Sequence, residues 1–179
     1  MPTHPIFKLV ISDGDKEAFS ANLSYDLVKE IVSSFAYEGV GDDAFYLLAA
    51  RHPAEVVRMR VAYIDTLPEE VCELLANDTS IDVLRALVDT TSFKEWASAG
   101  LIEALVTRDT EIAAKVARDI GTYRQVNVAA LATRFAAHPD PAVVHRLAMS
   151  SDVPKKILKT LLTHADPSVA ATARPNARG

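Results

Sequence analysis

Apolar positions recur along this chain at helical rather than strand spacing. Val71, Leu74 and Leu75 fall at i, i+3 and i+4, and Ile157, Leu158, Leu161 and Leu162 do the same with one extra position. Each run reads as an amphipathic helix of about three turns. The same signal comes back as a degenerate repeat. Pro53-Ala-Glu-Val-Val-Arg58, Ser80-Ile-Asp-Val-Leu-Arg85, Thr110-Glu-Ile-Ala-Ala-Lys115 and Pro141-Ala-Val-Val-His-Arg146 each open a helix after a short turn, and a truncated fifth begins at Pro167. The starts lie 27, 30, 31 and 26 residues apart, room for two short helices and two turns per repeat. One such helix pair cannot bury its apolar stripe alone. Stacked neighbours can, which is the physics of a solenoid. Ala62, Ala86, Ala117, Ala148 and Ala173 recur near one register and would let adjacent helices approach closely.

The second helix of each repeat has its own start signal. Thr66-Leu-Pro-Glu69 and Ser92-Phe-Lys-Glu95 have capping-box spacing, and Asp152-Val-Pro-Lys155 offers an Asp cap with a Pro near the start. Asp and Pro at Asn77-Asp78, Arg108-Asp109, His138-Pro-Asp-Pro141 and His164-Ala-Asp-Pro167 punctuate the junctions. Residues 1–51 do not fit the repeat. Ile6–Ile11 is a short strand or an extended capping segment. A helix follows from Asn22 through Val28, Ile31, Val32 and Phe35, ends at Gly39-Val-Gly41, and gives way to another starting at Asp42 or Asp43. The expected fold is therefore all-α: an atypical N-terminal cap over 1–51, a solenoid of short helical repeats over 52–173, and a flexible tail over 174–179.

Asp140-Pro-Ala-Val-Val-His-Arg-Leu-Ala148, then Asp152-Val-Pro-Lys-Lys-Ile-Leu-Lys-Thr-Leu-Leu162, then Asp166-Pro-Ser-Val-Ala-Ala-Thr-Ala173 carry a family likeness. The series resembles the leucine-rich repeat variant pattern, a relative of HEAT repeats, in which a D-P-x-x-V-R-x-x-V-A line alternates with a P-x-x-x-L-x-x-L line. The likeness covers roughly residues 52–173. It is good in the first and fourth repeats and poor in the middle two, which are longer and lack the Pro after Asp. It implies a right-handed α-solenoid and a binding or scaffold role, and it specifies no catalytic residue to carry over. The cysteine cluster attached to some relatives does not fit a chain whose one cysteine is Cys72.

Candidate chemistry is sparse. A cation stands at the fifth position after each repeat start: Arg58, Arg85, Lys115 and Arg146. In a solenoid these form a row that meets phosphates or an acidic partner, or they pair with turn acids such as Asp65, Asp89 and Asp119. Arg134, Lys155, Lys156 and Lys159 thicken the basic content toward the C-terminus. Phe93 and Trp96 are the one aromatic-rich spot in the repeats, with core packing as their ordinary role. His52, His138 and His164 sit at equivalent junctions, yet neighbouring repeats are about 10 Å apart, too far for shared metal ligation; helix C-capping suits them better. Cys72, among Val71, Leu74 and Leu75, reads as a buried structural thiol. No metal-protease, phosphate-loop, nucleophile-elbow or dinucleotide-binding motif occurs, so neither cofactor nor metal is expected and the chain is read as a non-enzyme.

Composition then narrows the class. Charged residues make up 24% and hydrophobic residues 49% of the 179, an ordinary globular balance. Met1–Pro5 lack the basic flank and apolar run of a signal peptide, and no apolar stretch approaches the ~18 residues of a membrane span. The expectation is a soluble cytoplasmic protein with no membrane partner. Its function would be a protein–protein interaction or scaffold module, with a DNA-repair-like, nucleic-acid-binding solenoid as the alternative. A pI near 5.5 weighs against the latter. The net charge of −5 is uneven: residues 1–90 hold 16 Asp/Glu and 7 Lys/Arg, and residues 91–179 hold 8 and 12. Along a stacked solenoid that split is a polarity between two ends, suited to orienting a partner or to head-to-tail self-association.

Overall fold

The computed structural model describes residues 4–178; Met1–Thr3 of the expected cap and Gly179 of the expected tail lie outside the described residues. The chain is mostly helical, with one small antiparallel sheet, and divides into two compact units, Met1–Ser92 and Phe93–Gly179.

The first unit opens with a hairpin, β1 (Lys8–Asp13) and β2 (Lys16–Asn22). Gly14, at φ 61°, takes the first of two loop positions, where a tight hairpin needs left-handed backbone. Leu9 pairs with Ala21 and Ile11 with Phe19, and a register shift after Ile11 leaves Ala18 as an extra, bulged residue. The expected short strand is thus present, but its partner β2 was not anticipated. Lys16-Glu-Ala-Phe-Ser-Ala-Asn has no β-branched residue, and the available signal was the Asp13-Gly14 turn.

Helices α1 (Tyr25–Glu38), α2 (Asp43–Ala50), α3 (Glu55–Ala62), α4 (Glu69–Ala76) and α5 (Ile81–Leu87) complete this unit. Ser24 caps α1, whose far end closes at Gly39 (φ 67°), with the Gly39 and Val40 N–H groups on the Phe35 carbonyl. Asp42 caps α2 through Phe45 N–H at 2.7 Å. Helix α3 packs on α1, α2 and α5, and α4 packs on α2 and α5. Val28, Val32, Val57, Val61, Val71, Leu75, Val83 and Leu87 form the core between them.

Helix α6 (Thr91–Trp96) follows, then α7 (Ala99–Val106), α8 (Thr110–Arg118), a 3-10 turn (Ile120–Thr122), α9 (Val128–Ala136), α10 (Pro141–Met149), α11 (Lys155–Leu161) and α12 (Pro167–Arg178). In the second unit α10 lies against α8, α9 and α12, and α11 against α9 and α12. The extra length of the middle repeats is accounted for by α6 and by the 3-10 turn with its following loop. Phe93 is fully buried edge-on to Trp96 and Tyr123, with Trp96 itself half-buried.

Two local expectations are corrected. The segment 174–179 was expected to be a flexible tail, but α12 runs through Arg178 despite Pro175. Asn176 Nδ2 donates to the Ala148 carbonyl at 3.0 Å and Ala177 is buried, so tertiary contacts hold the last turn. Neither the Thr66 nor the Ser92 capping box closes, and Asp152 does not cap its helix. Pro68 and Pro154 themselves occupy the cap positions of α4 and α11, displacing Thr66 and Asp152. Helix α6 is capped from afar: Asp65 accepts from Thr91 N–H at 2.8 Å and Thr91 Oγ1 at 3.0 Å. Ser92 Oγ serves this turn rather than its own helix, donating to the Asp65 carbonyl and accepting from Leu67 N–H at 2.7 Å.

Candidate functional site

Counted from the residue that precedes each helix, the repeat strings of the sequence fall out of step. Ala54, Ser80, Asp109, Asp140 and Asp166 immediately precede α3, α5, α8, α10 and α12. Three residues after these positions stand Val57, Val83, Ile112, Val143 and Val169, each 0% exposed. Measured from the same origin, Arg58 is fourth, Arg85 fifth, and Lys115 and Arg146 sixth. At 100° per residue, Arg58 and Arg146 differ by about 200° around their helices. The four cations therefore do not share one register position.

Their surroundings differ as well. Arg58 sits where the other repeats place Leu84, Ala113, Val144 and Ala170, all buried. Its Nε donates to Asp78 Oδ2 at 2.6 Å and its Nη2 to Asp78 Oδ1 at 3.1 Å, while Nη1 reaches the carbonyls of His52 and Pro53 at 3.0 Å. The Arg58 and Asp78 side chains are 16% and 6% exposed, so this is a near-buried, bidentate pair. Burial acts to raise the Asp78 carboxyl, but the Arg58 guanidinium and the Ser80 N–H outweigh it and hold the group below its usual value. Arg58 is a structural pin. Arg85 is half-buried, with Nη1 3.3 Å from Asp82 Oδ1 one turn away. Lys115 is half-buried on α8. Asp119, the expected partner of that row, binds Arg118 and Lys94 instead, at 2.7 and 2.9 Å. The Arg118 hydrogen bond and then Lys94 pull its carboxyl to about 2 against an opposing burial effect.

The more C-terminal cations are the exposed ones. Arg134 meets Glu103 at 3.2 Å, a solvent-facing pair worth at most about 1 kcal/mol. Arg146 is exposed beside Pro141, Ala142, His145 and Met149, in a shallow depression closed by Asp166, just before α12, and Ser168 of α12. Lys155, Lys156 and Lys159 project from one face of α11, spanning about 100° of its circumference. Leu158 and Leu161 anchor the other face. No carboxylate pairs with Arg146 or with these three lysines among the described residues. Lys155 and Lys156 are also the first two residues of α11, behind a proline that offers no side-chain acceptor. A cation there opposes the helix dipole, at a cost of about 0.3–1 kcal/mol each. Three lysines on one solvated face, two of them placed against local helix energetics, are the clearest candidate binding surface.

The histidines do something the sequence did not suggest. Two residues before the helix-start positions, a side chain accepts the backbone N–H that leads into the helix. His52 Nδ1 takes Ala54 N–H at 3.0 Å, His138 Nδ1 takes Asp140 N–H at 3.1 Å, and His164 Nδ1 takes Asp166 N–H at 3.1 Å. Asp78 Oδ1 does the same for Ser80 N–H at 2.8 Å. The rings thus organise the start of the following helix, which corrects the expectation of C-capping through the side chain. An Nδ1 that accepts an N–H carries its ring proton on Nε2. Burial, together with the nearby Arg58 and His4 charges, holds His52 below the ordinary imidazole value. Cys72 is fully buried, and its thiol is pushed up to about 11, chiefly by burial and further by Glu69.

Among the described residues, no helix is long and apolar enough to cross a membrane. No protein-family model, curated protein or solved structure matches this chain.

Proposed function

We propose that the chain is a non-enzymatic interaction module of the helical-repeat, solenoid type, binding an acidic surface on another protein through α11. The right-handed stacking implied by the repeat resemblance, and a cytoplasmic setting consistent with one buried thiol, belong to the same reading. The observation that carries it is the Lys155, Lys156 and Lys159 face: exposed, without paired carboxylates among the described residues, and unfavourably placed for the helix that bears it. Arg146 is a secondary contributor, whereas Arg58 is committed to its fold contact.

The test is capture from native lysate by the wild-type chain and by K155E/K156E/K159E, with helicity checked by circular dichroism. A partner that elutes with salt from wild type and is absent from the variant is the expected result. Equal capture by both, or none at any salt, overturns the reading. The same lysines favour one second reading, phosphate contact with nucleic acid. Titration of labelled duplex at about 50 mM salt decides it, because phosphate contacts are strongest there.

A further inference from the structure

Helices α4 and α11 occupy equivalent places after a proline cap, Pro68 at φ −58° and Pro154 at φ −55°. Four and seven residues beyond the proline, both bury a side chain: Cys72 and Leu75 in α4, Leu158 and Leu161 in α11. One, two and five residues beyond it, both expose a charge. In α4 these are Glu69, Glu70 and Glu73; in α11 they are Lys155, Lys156 and Lys159. The same face of equivalent helices thus carries three negative charges in one repeat and three positive charges in another, over matching footprints about 6 Å long.

We propose that the α11 lysine face binds the α4 glutamate face of a second copy of this chain. The inference deepens the proposed function, resting on its reading of α11 as a binding surface and naming the acidic partner. Charge complementarity position by position is the argument for a copy of the chain rather than any acidic protein. The dipole supplies a second argument. Glu69 and Glu70 suit the start of α4, while Lys155 and Lys156 burden the start of α11, a burden that partner carboxylates relieve. Each copy offers one face of each sign, so the contact is heterologous and extends from copy to copy unless a reciprocal pair or ring closes it. Exposed charges hold it, so it weakens steeply with salt.

The experiment is sedimentation velocity with light scattering on the full chain at about 50 and about 500 mM NaCl. It compares wild type, K155E/K156E/K159E, E69K/E70K/E73K, and a 1:1 mixture of the two variants. Wild type is expected to associate at low salt and to weaken at least tenfold at high salt. Each variant alone carries like charges on both faces and is expected to be monomeric; the mixture restores opposite charges and is expected to associate again. The lysine variant is also expected to melt at a higher temperature than wild type while losing association, which rules out misfolding as the cause. The milder E69Q/E70Q/E73Q replaces the glutamate variant in the single-variant comparison if lysines unfold α4, and it too is expected to be monomeric. A monomeric wild type at low salt, association that survives 500 mM salt, or association of either charge-reversed variant alone overturns the inference. If wild type is monomeric yet still captures a lysate protein or duplex through the lysines, the second-copy inference falls, and the ligand identified decides the fate of the proposed function.

Discussion

Arg58 fills with a cation the slot that the other repeats fill with Leu84, Ala113, Val144 or Ala170. A near-buried ion pair is costly to break and cheap to replace, because removing one partner strands the other charge. Arg58→Leu is therefore expected to cost about 2–3 kcal/mol by leaving Asp78 uncompensated. Arg58→Leu with Asp78→Asn, which keeps an acceptor for Ser80 N–H, is expected to recover most of it. Urea unfolding of the singles and the double gives the coupling directly. Asp119 sets an acid limit of the same kind. Its carboxyl lies at about 2 in the fold against 3.8 in the open chain, so its contribution is full above 3.8 and is lost as pH falls toward 2. Asp119→Asn is expected to flatten the slope of stability against pH across that window. Cys72 is expected to resist thiol reagents at pH 8 until denaturant opens the fold, since it is both buried and scarcely ionised.

Several helices owe their starts to side chains of two kinds. Local caps at Asp42, Ser80, Asp109 and Asp140 were legible in the sequence, because an Asp or Ser before an apolar run has little else to do. The cap on α6 was not, since Asp65 lies 26 residues before Thr91 and no local window contains both. The histidine acceptors were half legible. Their recurrence was plain, but His52, His138 and His164 look the same in sequence whether the ring serves the helix behind or the one ahead. Position within the turn settles it, and Asp78 shows that a short carboxylate does the same work. His138→Ala is expected to cost about 1 kcal/mol, and His138→Asn less, because an Asn side chain accepts an N–H two residues on. Thermal unfolding of the pair separates turn chemistry from the loss of ring packing. The frame slipped for a related reason: Pro53, Ser80 and Thr110 each begin a similar string, yet only the observed helix starts show that they stand one before, at and one after the helix-start position.

At the scale of the whole chain, the uneven charge acquires particular owners. The unit Met1–Ser92 holds 16 acidic and 7 basic residues, and the unit Phe93–Gly179 holds 8 and 12. The sequence arithmetic had no way to separate charges consumed inside the fold, such as Arg58 and Asp78, from those left on a surface, such as Lys155 and Glu70. Swapping α4 and α11 charges together in one chain, E69K/E70K/E73K with K155E/K156E/K159E, leaves net charge untouched. It is expected to keep salt-sensitive self-association, whereas either half alone abolishes it; sedimentation at low salt reads the difference. The hairpin has a separate consequence. Leu9, Ile11 and Phe19 share one face and are each about half exposed, while the ribbon's base is tied through Phe7, which packs on Phe45 and His52, and through Leu23 N–H to the Phe7 carbonyl. Two strands alone are marginal in water. A dilute protease is therefore expected to nick the Gly14-Asp15 loop before any helix is touched, and mass spectrometry of the first fragments would locate the cut. On that expectation the ribbon is a point of entry for turnover, and anything that covers its apolar face would also lengthen the protein's life.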